Sequence, residues 1–247
     1  MRTPLTIAAA QPACRPYDVA TNAAAHAAAV RAAGTRVVVF PEMSLTGYEF
    51  DVDPVPVDDA RLDPIVRACA ESGTVALVGA PVAGGSDPTG RSDPPGPSAV
   101  YIGVMAVSGT GVAVAYRKMH LGGEEPARFT PGTTPALVEV DGWRLGLAIC
   151  RDTGVPAHAA ATAALGIDAY VAGVLEHPAD AGVPAERARR IAAAHGVWVV
   201  IASFAGRAGG RYPRSPGGSA IWRPDGAVVA EAGPAPGAVV SATLQRD

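Results

Sequence analysis

Apolar residues in this chain fall into short, breaker-free runs that alternate with stretches of helical period. Leu5 to Ala10 reads as a first buried strand. Asp18 is placed to cap an Ala-rich helix over Val19 to Ala33, which Gly34 closes. Val37 to Phe40 is a second strand, Leu62 to Glu71 a helix stopped at Ser72-Gly73, and Thr74 to Ala80 a third strand. This β-α-β-α opening predicts parallel strands in a core sheet. The pattern then changes. Ala83 to Pro97, rich in Gly, Pro, Ser and Asp, reads as a surface loop. Ala99 to Val107 and Val112 to Tyr116 flank Ser108-Gly109-Thr110-Gly111 as a hairpin, and a second hairpin turns at Asp141-Gly142 into a strand that reaches Cys150. After it come a helix over Pro156 to Leu165, a strand over Ile167 to Val174, a helix over Pro184 to Ala194 and a strand over Gly196 to Ser203. Ser219 to Trp222 and Ala227 to Ala230 form a hairpin around Asp225-Gly226, and Ala238 to Leu244 is a last strand.

Antiparallel hairpins are thus mixed with β-α crossovers, in about a dozen strands and four or five helices. Two mixed sheets packed face to face, with helices outside, fit that count better than a single doubly wound sheet. No repeat or interdomain linker interrupts the 247 residues, so 1–247 are expected to form one domain.

Composition narrows the function. With 49% hydrophobic and 17% charged residues, the chain is globular rather than disordered. A net charge of -3 and the lack of any basic run argue against nucleic acid as a partner. No apolar stretch reaches the roughly 18 residues of a membrane span. The N-terminus runs directly into a strand pattern, with no signal-peptide core. Cys14, Cys69 and Cys150, odd in number and widely spaced, suit neither a disulfide framework nor a zinc site, and a cytoplasmic setting is the simplest reading.

Three strand patterns stop at an ionisable residue. Arg36-Val37-Val38-Val39-Phe40-Pro41 leads to Glu42, Val112-Ala113-Val114-Ala115-Tyr116-Arg117 to Lys118, and Leu145-Gly146-Leu147-Ala148-Ile149 to Cys150. A nucleophile at the mouth of a buried strand is held rigidly and still faces a cleft. A thiol also needs a base or a neighbouring positive charge. Together the three residues make a candidate covalent active site. Singly, each fits an ordinary role: Cys150 as a structural cysteine, Glu42 as a loop carboxylate, Lys118 as a lysine that snorkels to water.

The segments Phe40-Pro41-Glu42 to Gly47-Tyr48, Tyr116-Arg117-Lys118-Met119-His120-Leu121, Phe129-Thr130-Pro131-Gly132, Gly146-Leu147-Ala148-Ile149-Cys150 and Gly218 to Gly226 occur in that order. This set resembles the nitrilase superfamily of carbon–nitrogen hydrolases over about Leu5 to Glu231. The resemblance implies a four-layer α-β-β-α sandwich, assembled at least as a homodimer. It implies a cysteine-dependent hydrolase of small linear amides or N-carbamoyl compounds that acts through a thioester on Cys150, with water as co-substrate and no metal or organic cofactor. Glu42 would be the general base, Lys118 the cation at the tetrahedral intermediate, and Glu125, with Glu124 as its rival, a second glutamate that positions substrate or water. Tyr48 matches a pocket tyrosine. Leu175, Glu176 and His177 occupy the segment that usually lines the acyl pocket, and Arg151 stands where the family commonly has a tyrosine. Asp152 and Pro156 follow the family pattern, whereas Ala157 replaces an acidic residue. Rival readings are a nitrile hydrolase, a catalytically silent binding protein on the same scaffold, and a papain-like hydrolase; the last lacks a matching histidine motif.

Overall fold

The layering follows from which faces of the strands are apolar. The computed structural model describes residues 3–85, 99–209 and 212–245. In chain order the strands are β1 (Leu5–Gln11), β2 (Val37–Val39), β3 (Val75–Ala83), β4 (Val100–Ser108), β5 (Gly111–Arg117), β6 (Leu137–Val140), β7 (Trp143–Ile149), β8 (Ala169–Val174), β9 (Trp198–Ser203), β10 (Ala205–Gly206), β11 (Ser215–Pro216), β12 (Ala220–Trp222), β13 (Val228–Glu231) and β14 (Ala238–Leu244). The α-helices are α1 (Val19–Ala33), α2 (Asp63–Ser72), α3 (Pro156–Ala163) and α4 (Val183–His195). One six-stranded sheet runs β14-β1-β2-β3-β4-β5 and the other β13-β12-β9-β8-β7-β6. Within them β1, β2 and β3 are mutually parallel, as are β7, β8 and β9, and the remaining pairings are antiparallel.

The central strands are buried on both faces, as their unbroken apolar runs require. Ile7, Val39 and Leu77 of the first sheet meet Leu147, Val171 and Val200 of the second in one core between the sheets. On the outer face of the first sheet, Ala8, Val38 and Val78 pack against Ala23, Ala27 and Val30 of α1 and Ile65 of α2. Outside the second sheet, Tyr170, Val199 and Ile201 pack against Ala188 and Ile191 of α4 and Ala159 of α3. The result is the expected α-β-β-α sandwich of two mixed sheets. The small alanines of α1 let that helix lie close to the sheet.

Local signals set most of the boundaries. The Asp18 carboxylate accepts the Thr21 N–H at 3.0 Å, and Gly34 takes the left-handed conformation (φ +57°) that ends α1. Asp141 and Gly142 both have positive φ, as a tight hairpin turn demands. Some edges differ from the sequence reading. Strand β9 begins at Trp198, because Gly196 (φ +63°) caps α4. Helix α3 ends at Ala163, after which the chain tightens so that Leu165 and Gly166 donate to Thr162 and Ala163. Residues 86–97 of the expected Ala83–Pro97 loop lie outside the described residues, and β3 extends through Ala83. Among the described residues no helix is long and apolar enough to cross a membrane.

Candidate active site

Glu42 lies just beyond β2, in a turn that reverses at once: Leu45 N–H donates to the Gly79 carbonyl at 3.1 Å, and Thr46 N–H to that of Met43. Two glycines from opposite sheets hold this turn. A Cβ on Gly79 of β3 would stand 2.3 Å from the Pro41 oxygen, and one on Gly173 of β8 would stand 2.5 Å from the Phe40 oxygen and 2.8 Å from the Glu42 nitrogen. Only a residue without a side chain lets the backbones approach so closely.

Lys118 follows β5. Its N–H donates to the Ile102 carbonyl at 2.8 Å, and its own carbonyl accepts the Gly132 N–H at 2.7 Å. Phe129-Thr130-Pro131-Gly132 is therefore a buttress for the lysine, with Thr130 N–H bonded to the Val100 carbonyl at 2.7 Å.

Cys150 does not simply end a strand. It heads a 3₁₀ turn, Cys150–Gly154, with φ +41°, a strained conformation for a residue with a side chain. Asp152 holds that turn. Its Oδ2 accepts the Ile149 N–H at 3.0 Å and the Tyr116 hydroxyl at 2.8 Å, and its Oδ1 accepts the His120 N–H at 2.9 Å. The His120 ring Nδ1 also lies 2.9 Å from Oδ1. His158 continues the network, 2.8 Å from the Tyr116 hydroxyl and 2.9 Å from that of Tyr170. A network of this kind, buried at Asp152, Tyr116, His158 and Tyr170, favours one geometry.

Lys118 and Cys150 line one cavity of about 540 Å³, and Glu42 joins them from behind its wall through Lys118. Lys118 Nζ donates to Glu42 Oε1 at 2.6 Å and to Glu125 Oε1 and Oε2 at 2.7 and 2.8 Å, and all three side chains are buried. Glu125 Oε1 also accepts the Tyr48 hydroxyl at 2.9 Å, and Oε2 the Gly122 N–H at 2.8 Å. Among the described residues, Glu42 Oε2 is buried and has no hydrogen-bond partner. The Cys150 thiol donates to the Leu175 carbonyl at 3.4 Å.

Burial dominates the electrostatics. It drives the Cys150 pKa well above the ordinary thiol value, the nearby Glu42 charge raises it further, and Lys118 opposes both. Burial likewise pushes the Glu42 carboxyl up, against the pull of Lys118 and with help from the Glu125 charge. For Lys118, burial alone would lower the pKa, but Glu42, Cys150 and Glu125 outweigh it and keep the ammonium charged. Burial thus disfavours the thiolate, and the neighbouring ammonium favours it.

The sequence-predicted pocket residues gather around this centre. Tyr48, Arg151, Leu175, Glu176 and His177 all line the cavity, and Leu175 contributes its backbone oxygen. Of the rival glutamates, Glu125 bonds Lys118, while Glu124 lies on the cavity wall. Phe50, Arg187 and Tyr212 line it too and were not anticipated. Tyr212 gives a sequence signal only as a lone aromatic in the Gly-rich run Gly209-Gly210-Arg211-Tyr212-Pro213. Burial pushes the Cys14 pKa up to about 12 and that of Cys69 up to about 11, which suits inert thiols. A larger cleft of about 710 Å³ beside Trp198, Arg223 and Thr243 holds neither cysteine nor lysine. Among the described residues no group of three or more His, Cys, Asp or Glu is placed to bind a metal.

A sandwich of this layering defines a class of protein, and the comparisons bear out that class. The chain belongs to the carbon-nitrogen hydrolase family, whose sequence profile matches residues 6–247. Among curated proteins it is 32% identical over 163 residues to the "Hydrolase in pqqF 5'region" of Pseudomonas protegens, covering 62% of this chain and 53% of that one. It is 29% identical over 151 residues to an (R)-stereoselective amidase of a Pseudomonas species, covering 59% and 50%. The chain spans about half the length of these relatives. Among solved structures, a cysteine-to-alanine mutant of the Nesterenkonia AN1 amidase from the nitrilase superfamily superposes with a TM-score of 0.81 at 26% identity, over 97% of this chain and 90% of that one.

Proposed function

We propose that this chain hydrolyses the C–N bond of small linear amides or N-carbamoyl compounds through an acyl thioester on Cys150. One observation carries the reading: a single ammonium, Lys118 Nζ, lies within 2.6–2.8 Å of two buried carboxylates and lines the same cavity as Cys150. The unpartnered Glu42 Oε2 is the acceptor for the thiol proton. As that proton leaves, Sγ attacks the carboxamide carbon. Charge developing on the carbonyl oxygen is met by Lys118 Nζ and the Arg151 backbone N–H. Glu42 returns the proton to the departing nitrogen, and ammonia or an amine leaves. Water, deprotonated by Glu42, then hydrolyses the thioester. Glu125 stays bonded to Lys118 throughout and aims it, with Tyr48 steadying Glu125. The whole chain acts as one catalytic domain, and a homodimer in the cytoplasm is the setting we propose for it.

The Nesterenkonia amidase has been solved in complex with butyramide, which makes simple aliphatic amides the first substrates to try. Mass spectrometry of a reaction quenched during turnover should find the butyryl group on the Cys150 peptide. Hydrolysis of butyramide without acylation of Cys150 would overturn the mechanism. Acylation by nitriles but not by amides would overturn the substrate class.

The raised Glu42 pKa sets the pH dependence. Glu42 accepts a proton only when ionised, and burial shifts its ionisation upward. The acid limb of kcat/KM against pH is therefore expected above the ordinary carboxylate range, with activity rising as pH increases through it. A limb at the value of a free glutamate would count against Glu42 as the base.

A further inference from the structure

One charged group in the cavity has no part in this reaction and opposes it. Glu176 follows Leu175, whose carbonyl oxygen accepts the Cys150 thiol at 3.4 Å. Its carboxylate lines the cavity, with 13% of the side chain exposed, and its charge raises the Cys150 pKa and so disfavours the thiolate. Its cation is poorly placed to compensate. Arg187 Nη1 lies 3.3 Å from Glu176 Oε1 and also 3.4 Å from Thr153 Oγ1. The guanidinium is laid over Gly154, where a Cβ would come within 3.1 Å of its central carbon. Among the described residues no other hydrogen bond reaches the Glu176 carboxylate. The half-buried carboxylate thus has one protein donor, at the long end of hydrogen-bond range. Tyr48, Phe50 and Tyr212 line the same cavity.

We propose that Glu176 is a specificity-determining residue that receives an ammonium group carried on the acyl chain of the substrate, a few carbons from the scissile carbonyl. This rests on the hydrolase reading above and adds the substrate class to it. An ammonium at that place supplies a second donor, forms a charge-assisted hydrogen bond and offsets the charge that opposes the thiolate. The aromatic walls accept a cation as readily as an alkyl chain.

The test compares 4-aminobutanamide with pentanamide, which has the same number of heavy atoms and no charge. The wild-type ratio of kcat/KM should favour the amine by about tenfold or more, the scale of one hydrogen bond to a charged group. Glu176→Gln should abolish that ratio, and Glu176→Asp, which keeps the charge, should retain much of it. Equal rates for the two amides in the wild type, or a preference that survives Glu176→Gln, would overturn the assignment. Calorimetric binding to Cys150→Ala separates this proposal from the hydrolase reading. Tighter binding of 4-aminobutanamide, lost in Cys150→Ala/Glu176→Gln, upholds the subsite even if no amide is turned over. Equal binding of the two amides overturns it.

Discussion

Replacing Lys118 by alanine is expected to reduce kcat by at least about 10²–10³-fold, the usual loss when one oxyanion donor is removed. The same change should lower stability by about 3–5 kcal/mol at neutral pH, because breaking a buried ion pair leaves uncompensated charge. Both effects have one origin: Nζ lies 2.6 Å from Glu42 and 2.7 Å from Glu125, so its removal leaves two buried carboxylates facing each other. The pH dependence gives the check. The Glu42 pKa is already raised in the folded protein, chiefly by burial, and without the cation it rises further. A folded-state pKa above the unfolded value contributes stability that is present at low pH and lost as pH rises through the folded pKa. The variant should therefore approach wild-type stability on acidification and fall away from it towards neutral pH. Denaturant titrations over that range test this. A deficit that stays constant with pH would show that lost packing, not charge, is responsible.

Gly173→Ala is expected to lower kcat by about 10²-fold, with a much smaller change in KM, since a misplacement of about 1 Å suffices for such a loss. A methyl group there would meet the Phe40 oxygen at 2.5 Å and the Glu42 nitrogen at 2.8 Å, and neither backbone atom can swing aside as a side-chain tip would. Gly79→Ala should act alike from the opposite sheet, pressing on the Pro41 oxygen at 2.3 Å and the Met43 nitrogen at 2.5 Å. Overpacking of this kind costs about 1–3 kcal/mol, so both variants should still fold, with the base displaced. Steady-state kinetics with circular dichroism as a folding control decides the matter. A Gly173→Ala protein with wild-type kcat would show that the turn has room to yield.

The sequence carried the sandwich because its instructions are local. Unbroken runs such as Val37–Val39 and Ala169–Val174 admit only doubly covered strands, and Asp18, Gly34, Asp141 and Gly142 end their elements through their own backbone chemistry. Glu42, Lys118 and Cys150 were visible because each interrupts such a run. Other parts were hidden for physical reasons. The positive φ of Cys150 goes with a turn that Asp152 ties to Tyr116 and His120 of a distant segment, and no residue type announces it. Leu175 acts through a carbonyl that every residue has. Arg187 reaches the cavity from a helix on which it is one of three arginines, and nothing in their spacing singles it out. Strands β10 and β11 have two residues each, too few to show a period.

Glu42 and Lys118 hang from the first sheet, and Cys150 from the second. The chemistry thus spans a seam between two slabs joined mainly by oily contact, which has no directional lock of its own. In the function proposed here, turnover works as a rangefinder for that seam. A slip too slight to disturb any ladder of backbone bonds would part acid from nucleophile and silence the protein while its outline stayed the same.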